Sequence, residues 1–446
     1  MTAPEPALLV IFGATGDLAR RKLLPALGAL DARGALPRPF VVLGIARDPY
    51  PDDAAFRDIA RTALRIDASQ IHYQAIGAGT PDDFARIAAD IETIEREQGL
   101  PGNRVFYLAL PPQAFAGTVE HLASAGLNRS RGYTRLVIEK PFGRDLESAR
   151  ALNALLHRHF DETQIYRIDH YLGKETVRNL MVFRFANPIF ETQWNRDRIQ
   201  SIEISVAEAA SVGTRAAYYE QAGAVRDMVQ NHLMQLLCHV AMEPPASFDA
   251  DAVRDEKIKV LRSMRRIGPD AAVLGQYEGY RSEPGVKPGS TTDTYAGVTA
   301  HIDNWRWHGV PFHLRTGKAL AKRSTRIVVN FRPAPVRLFQ RIPGCEVGPD
   351  RLVISIQPEE GFALTFAVKE PGEAICVREQ KLDFTYAEAF GPLEEAYETL
   401  LLDVLQGDQT LFVRADWVER SWYLFQPLLD APPEPSTYAP GSWGPA

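Results

Sequence analysis

The segment ALLVIFGATGDLARRKL, residues 7–23, limits the possible folds more than any other stretch of the chain. Ala7 to Phe12 is apolar without interruption, so a strand here has no face suited to water. That is the pattern of a parallel strand covered on both sides. Gly13 and Gly16 permit a tight turn at its end. The mixed charged and apolar run from Asp17 to about Leu30 then suits an amphipathic helix, with Asp17 as its N-cap. A strand, a glycine turn and a helix in succession aim backbone N–H groups and a helix N-terminus at one point, where a diphosphate can bind. The spacing is not G-x-G-x-x-G, so the context carries the reading. A plain glycine-rich turn is the alternative.

The same alternation continues through the first third of the chain. FVVLGIA (40–46) is a second buried run, and segments near Ile71, at Val105–Ala109 and at Leu136–Ile138 repeat it, with helical stretches between. Such alternation predicts a doubly wound parallel sheet. The character changes after about residue 175. Strand-like segments such as RIQSIEISVAEAA, TRIVVNF, RLVISIQ and FALTFAVK follow without regular helices between them, which predicts an α+β unit with a large, mainly antiparallel sheet. The expected division is residues 1–172 for a Rossmann-like dinucleotide unit and 173–446 for the second unit. The Pro-rich tail from Pro432 reads as mobile.

Composition narrows the function. With 446 residues the chain is too long for one ordinary core. A net charge of −6 gives no electrostatic case for nucleic acid. No stretch is long enough to span a bilayer, and no basic n-region precedes the first apolar run. The three cysteines (Cys238, Cys345, Cys376) are far apart, which argues against a disulfide framework or a zinc site and fits a reducing, cytoplasmic compartment. No metal-ligand spacing is found.

Four further motifs carry chemistry. Arg47 ends the second predicted strand, where an NAD site usually has an acid and an NADP site a cation for the 2′-phosphate. RLVIEKPFG sets Glu139, Lys140 and Pro141 at a strand's C-terminal end, where ligands of doubly wound sheets gather, and Pro141 suits a cis peptide. YRIDHYLGKE (166–175) packs acids, bases and tyrosines around Ile168 and Leu172, as either a solvated loop or a cavity wall. GAVRDMVQNHLMQLLCHVAM reads as a helix with an apolar stripe through Val225, Met228, Val229, Leu236 and Val240. His232 falls on that stripe, with Asp227 and Asn231 to one side. A histidine there is a core residue unless a carboxylate such as Asp169 meets it.

Together GATGDLARRKL, FYLALPP, VIEKPFG, RIDHYLGKE, GAVRDMVQNH, IDNWRWHGVPFHLRTGKAL and GDQTLFVR resemble the glucose-6-phosphate dehydrogenase family, in family order from residue 11 to about 415. The resemblance implies oxidation of glucose 6-phosphate to a lactone with hydride transfer to NADP, the first step of the oxidative pentose phosphate route. It implies His232 as general base and Asp169 as its supporting carboxylate. His170, Tyr171 and Lys174 match the residues that hold the phosphate, and Lys140 a lysine near both sugar and nicotinamide. Glu208 and Asp227 match acids on sugar hydroxyls, with Lys318, Arg323 and Gln357 completing the sugar site. Gly13, Ala14, Thr15, Gly16, Asp17, Leu18, Ala19, Arg20 and Arg47 match the NADP site, together with Lys140. A homodimer or homotetramer built through the large sheet is also implied. The family's glycine-rich run before the base helix is altered here to EAASVGTRAAYYE, at Ser211, Thr214, Ala216 and Ala217. The alternatives are a dehydrogenase for another hexose or hexose phosphate, and a silent family member that lacks turnover.

Overall fold

The computed structural model describes residues 4–47, 56–58, 60, 68–336, 339, 348–372, 375 and 377–445. Cys345 and Cys376 lie outside them, and Cys238 is a free, buried thiol. The first half forms a six-stranded parallel sheet from β1 (Ala7–Phe12), β2 (Phe40–Ala46), β3 (Ile71–Ala75), β4 (Arg104–Leu108), β5 (Thr134–Glu139) and β6 (Ile165–Ile168), in the order 3-2-1-4-5-6. Every residue of β1, β2 and β4 is buried, as their unbroken apolar runs require. β1 pairs with both β2 and β4, so the chain reverses its direction of travel across the sheet at β1. Ligands of such sheets bind at this reversal, outside the strands' C-terminal ends.

The turn after β1 differs from the sequence reading in one respect. Asp17 is not the N-cap. It lies in the first helical turn and its carboxylate binds Arg21 at 2.6 Å on the exposed face. Gly13 has φ +82°, and a Cβ on it would lie 2.3 Å from the carbonyl oxygen of Ala109. The bare backbone here is required by the close passage of the loop after β4.

The second half forms a nine-stranded sheet from β7 (Ile199–Ala207), β8 (Ala272–Tyr277), β9 (Tyr295–Ala300), β10 (Phe312–Gly317), β11 (Ser324–Phe331), β12 (Arg351–Gln357), β13 (Gly361–Lys369), β14 (Val377–Thr385) and β15 (Ser436–Tyr438), in the order 14-13-12-11-7-10-9-8-15. It is antiparallel except for the pairs β7–β10 and β8–β15. The tail corrects the sequence expectation. Residues 436–438 are a strand on the sheet edge, and Tyr438 is 4% exposed. Its hydroxyl donates to the Lys318 carbonyl at 2.7 Å. A paired backbone and a buried ring outweigh the mobility that prolines suggest.

The predicted base helix lies on this sheet. It starts at Ala216, kinks at Gly223 (φ +64°), runs as a π-helix over Val225–Leu233 and ends as an α-helix at Met234–Ala241. Both ends are fixed. The Asp293 carboxylate accepts from Val225 N at 2.8 Å. At the other end Trp194 and Trp307 donate their indole N–H groups to the carbonyls of Val240 and Ala241, both at 2.8 Å. These carbonyls would otherwise lack intrahelical partners, and each bond contributes about 0.5–1.5 kcal/mol. The whole apolar stripe is buried. A π stretch widens the turn and is common at functional sites; here it carries Asp227 and His232.

Candidate active site

The loops that leave β1, β2, β4, β5 and β6 all open on one edge of the parallel sheet. They carry Gly13, Arg47, Pro111, Lys140 and Asp169 in turn. Opposite them, β7 and β10 end side by side, with Ala207 paired to Gly317, so that Glu208 and Lys318 follow as neighbours. β11 begins and β12 ends at the same edge of the large sheet, bringing Arg323 and Gln357 there.

At the centre His232 Nδ1 lies 2.6 Å from Asp169 Oδ1, with both side chains almost completely buried. The same Oδ1 accepts the backbone N–H of Tyr171 at 3.0 Å. Burial alone would raise the Asp169 carboxyl, but His232, His170 and the Tyr171 amide hold it well below the ordinary carboxylate range. Burial lowers His232, and Asp169 only partly opposes this. The resting pair is therefore a carboxylate and a neutral imidazole. A carboxylate can only accept, so the ring proton sits on Nδ1 and Nε2 carries the lone pair. Among the described residues no protein group hydrogen bonds to that Nε2. This is the geometry of a base held in the correct tautomer.

Two lysine–carboxylate pairs lie at the same edge. Lys140 Nζ donates to the Asp227 carbonyl at 2.8 Å and to its Oδ1 at 3.2 Å, joining the parallel sheet to the base helix. Lys318 Nζ donates to Glu208 Oε1 at 2.5 Å. Burial would raise Asp227, but Lys140 and Lys318 pull it down to about 2. Tyr218 donates to the same carboxylate at 3.4 Å. It comes from the altered stretch before the base helix, where Gly213–Arg215 is a short turn that leads directly into helix.

YRIDHYLGKE is a wall, as its threaded apolar residues imply. Ile168 and Leu172 are buried in the core, and a Cβ at Gly173 would meet the Ala396 carbonyl oxygen at 2.6 Å. His170 is half-buried, edge-on to His232 with ring centroids 4.9 Å apart. Burial and the neighbouring His232 lower it to about 3, so it is neutral. Tyr171 stacks on His232 at 4.4 Å. Burial raises its hydroxyl, which is hydrogen bonded to Thr325 and feels the Arg323 charge. Arg323 in turn donates to Gln357 Oε1 at 3.3 Å. Lys174 is half-buried at the N-cap of the helix Glu175–Phe185. The fold brings Asp169, His170 and His232 within 4.8 Å of one another although their spacing is no metal motif. The bond between His232 Nδ1 and Asp169 ties two of the three together.

The nucleotide-side residues line a cleft of about 630 Å³ that includes Gly13, Thr15, Gly16, Arg47 and Ala78. Arg47 is exposed there at the end of β2. Ala14 and Ala19 turn their methyls into the core, leaving only their backbone for a ligand. Asp17, Leu18 and Arg20 lie on the first turns of the following helix. A second cleft of about 1220 Å³, lined by Gln113, Pro141, Arg144, Tyr218 and Arg226 among others, lies between the two sheets' loop edges. The Lys140–Pro141 peptide is cis.

Sequence reasoning missed three participants. Tyr107 and Tyr397 both donate to Glu139 Oε1 at the end of β5, and Tyr218 reaches Asp227. Glu139 itself is visible in the EKP turn. Nothing in local spacing marks the tyrosines: Tyr107 and Tyr218 lie in family motifs without a role of their own, and Tyr397 lies in a segment that reads as ordinary helix.

The family model described as "Glucose-6-phosphate dehydrogenase, NAD binding domain" matches residues 10–179, and "Glucose-6-phosphate dehydrogenase, C-terminal domain" matches residues 181–446. The glucose-6-phosphate 1-dehydrogenase of Aggregatibacter actinomycetemcomitans is 42% identical, covering 99% of this chain and 94% of the relative. That of Treponema pallidum (strain Nichols) is 43% identical, covering 99% and 92%. A solved glucose-6-phosphate dehydrogenase in complex with its substrate glucose 6-phosphate superposes with a TM-score of 0.92 at 36% identity, covering 100% of this chain and 96% of that one. Sequence and fold therefore agree from end to end, and the chain belongs to the glucose-6-phosphate dehydrogenase family.

Proposed function

We propose that this chain oxidises glucose 6-phosphate at C1 to 6-phosphoglucono-1,5-lactone with NADP as hydride acceptor. The observation that carries the reading is the buried His232–Asp169 pair, whose Nε2 has no hydrogen-bond partner among the described residues, set among cations and acids at the edge where both sheets end. When bound, the nicotinamide supplies the hydride acceptor. His232 Nε2 takes the proton of the C1 hydroxyl, and Asp169 stabilises the imidazolium that forms. A positioned base of this kind contributes roughly 10²–10⁴-fold. Glu208 and Asp227 accept hydrogen bonds from sugar hydroxyls, while Lys140, Lys318, Arg323 and Gln357 donate or orient. Lys174, His170 and Tyr171 supply one cation and neutral donors for the phosphate.

The turn at Gly13 suits a diphosphate, because Gly13 and Gly16 line the cleft with bare backbone. The exposed guanidinium of Arg47 supports NADP over NAD. The division into a dinucleotide unit at 1–172 and a substrate unit at 173–446 is supported by the two sheets, the first ending at Ile168 and the second beginning at Ile199. A homodimer or homotetramer through the large sheet is supported by its outer strand β14, where Leu382 (64%) and Phe384 (41%) are exposed. Light scattering on the purified protein reads that state directly.

The experiment crosses NADP and NAD with glucose 6-phosphate, glucose and other hexose phosphates, following reduced-cofactor absorbance, for the wild type and His232→Asn. The expected result is turnover on glucose 6-phosphate with NADP and its loss by on the order of 10³-fold in the variant, with substrate binding retained. A variant that keeps a tenth of wild-type kcat, or a preference for an unphosphorylated sugar, refutes the reading.

A further inference from the structure

The His170 imidazole makes no hydrogen bond to a protein group among the described residues. Three rings set its orientation: Tyr171 at 5.0 Å, His232 at 4.9 Å and Tyr397 at 6.4 Å, the last almost parallel with an interplanar angle of 10°. Tyr171 is held by Thr325 and His232 by Asp169. The Tyr397 hydroxyl is held by Glu139, at 3.1 Å to Oε1. That oxygen also accepts from the fully buried Tyr107 at 2.6 Å. Glu139 ends β5, one residue before Lys140, so the two tyrosines tie the helix Ala396–Gln406 and β4 to the turn that carries a substrate-site lysine.

We propose that Glu139 is a positioning residue for phosphate binding: through Tyr397 it seats the His170 ring, so that the imidazole and Lys140 keep a fixed relation across the pocket. This rests on the reading that His170 holds the phosphate.

The groups that face Glu139 are Tyr107 from β4, Tyr397 from the helix, Lys140 on its own turn and Asp169 after β6. Burial pushes the Glu139 carboxyl up to about 7, against the bonds from both tyrosines and the Lys140 charge. It therefore changes charge around neutrality. The ionised form accepts charge-assisted bonds roughly twice as strong as neutral ones. The seat is firm above neutrality and slackens below it.

The test is steady-state kinetics on glucose 6-phosphate from about pH 6 to about pH 9, a range that brackets this titration. The proteins are the wild type, Glu139→Gln, Tyr397→Phe, His170→Asn and the double variant Tyr397→Phe/His170→Asn, each checked by thermal melt. Glu139→Gln keeps the accepting oxygen but is fixed in the uncharged state. At the alkaline end it and Tyr397→Phe are expected to raise the sugar-phosphate KM about two- to tenfold, the range of one hydrogen bond. kcat falls by a smaller factor than the KM rises, and the cofactor KM stays nearly unchanged. The KM ratio of Glu139→Gln to wild type falls toward one at the acid end, and the phosphate's own ionisation cancels in that ratio. Tyr397→Phe adds little once His170 is gone, since both act on one contact. A ratio that is flat with pH, tighter binding by Glu139→Gln, or full additivity in the double variant overturns the proposal alone. If His170→Asn leaves the sugar-phosphate KM unchanged, the phosphate reading of His170 falls and the proposal falls with it.

Discussion

Replacing Asp169 by Asn separates two things this carboxylate does for His232: fixing the tautomer and stabilising positive charge. In many base–carboxylate pairs an amide can rotate and present its NH₂ to the imidazole, reversing the tautomer. Here rotation is opposed, because Oδ1 already accepts the Tyr171 amide at 3.0 Å as well as His232 Nδ1 at 2.6 Å. An Asn with its oxygen in that place keeps both bonds, and its NH₂ takes the position of Oδ2, which is buried without a protein partner. The alternative rotamer opposes two donors. Asn therefore keeps Nε2 as the acceptor and removes only the charge. With charge centres about 4 Å apart and an effective dielectric constant of about 20, that charge is worth about 4 kcal/mol to a full imidazolium. Partial proton transfer in the transition state reduces this, so kcat falls by roughly 10²–10³-fold. Asp169→Ala removes the tautomer lock as well and falls further. The sign for pH follows from the pair. Asp169 raises His232, so its neutralisation lowers the imidazole pKa and the acid limb of kcat/KM moves to lower pH as the plateau drops. Reduced-cofactor absorbance across a pH series measures both. An Asn variant within tenfold of wild type, or an acid limb displaced upward, refutes the reasoning.

Other outcomes follow from the same geometry. Arg47→Ala is expected to raise the NADP KM by an amount equivalent to roughly 1.5–3 kcal/mol, the worth of a hydrogen bond to a charged group, while the NAD KM stays nearly constant; equal effects on both cofactors mean that Arg47 does not read the 2′-phosphate. Lys174→Ala is expected to weaken glucose 6-phosphate far more than any residual activity on free glucose, with kcat on the phosphorylated sugar falling as well. A proportional loss on both sugars places Lys174 away from the phosphate. Burial holds the buried His232 and His239 below their ordinary range. Their folded pKa values lie under the unfolded value of about 6.5, so the stability they contribute is complete above that pH and is lost as pH falls. Each adds a slope of up to about 1.4 kcal/mol per pH unit, measured as the denaturant midpoint from neutral to acid pH; a midpoint that is flat below neutrality contradicts it.

Much of this architecture is legible in short windows. The unbroken apolar runs of β1, β2 and β4 demanded burial on both faces, and the stripe through Val225, Met228 and Leu236 demanded a helix lying on a core. His232 could be singled out on that stripe. Asp169 could be named as its partner only through the family resemblance, because it is 63 residues away and no local rule joins them. Glu208 meets Lys318 across 110 residues, and Tyr397 meets Glu139 across 258. Such pairs follow from sheet order, which periodicity does not reveal. β14 escaped detection because seven of its nine residues are exposed and it is held by backbone pairing to β13. β15 was hidden by neighbouring prolines. Asp17 misled because an acid beside a glycine turn suits a cap as well as an ion pair one turn on.

The end of the chain has a consequence for enzyme handling. Ala319, just after Lys318, has a positive φ of 50°, a conformation that is uncommon outside glycine. The tail braces it from outside: Gly441 N donates to the Ala319 carbonyl and Ala321 N to the Ser442 carbonyl, both at 2.8 Å, while Tyr438 holds the Lys318 carbonyl. Residues 438–442 thus act as a latch over the loop that presents Lys318. Where Lys318 holds the sugar, fraying of this strand and occupancy of the site are expected to be linked equilibria, each favouring the other's closed state. Substrate should slow hydrogen exchange at Ala321 and Gly441, far along the chain from the base. Carboxypeptidase trimming past Tyr438, or a C-terminal tag that pulls the strand away, should lower affinity for the sugar while the parallel sheet stays folded.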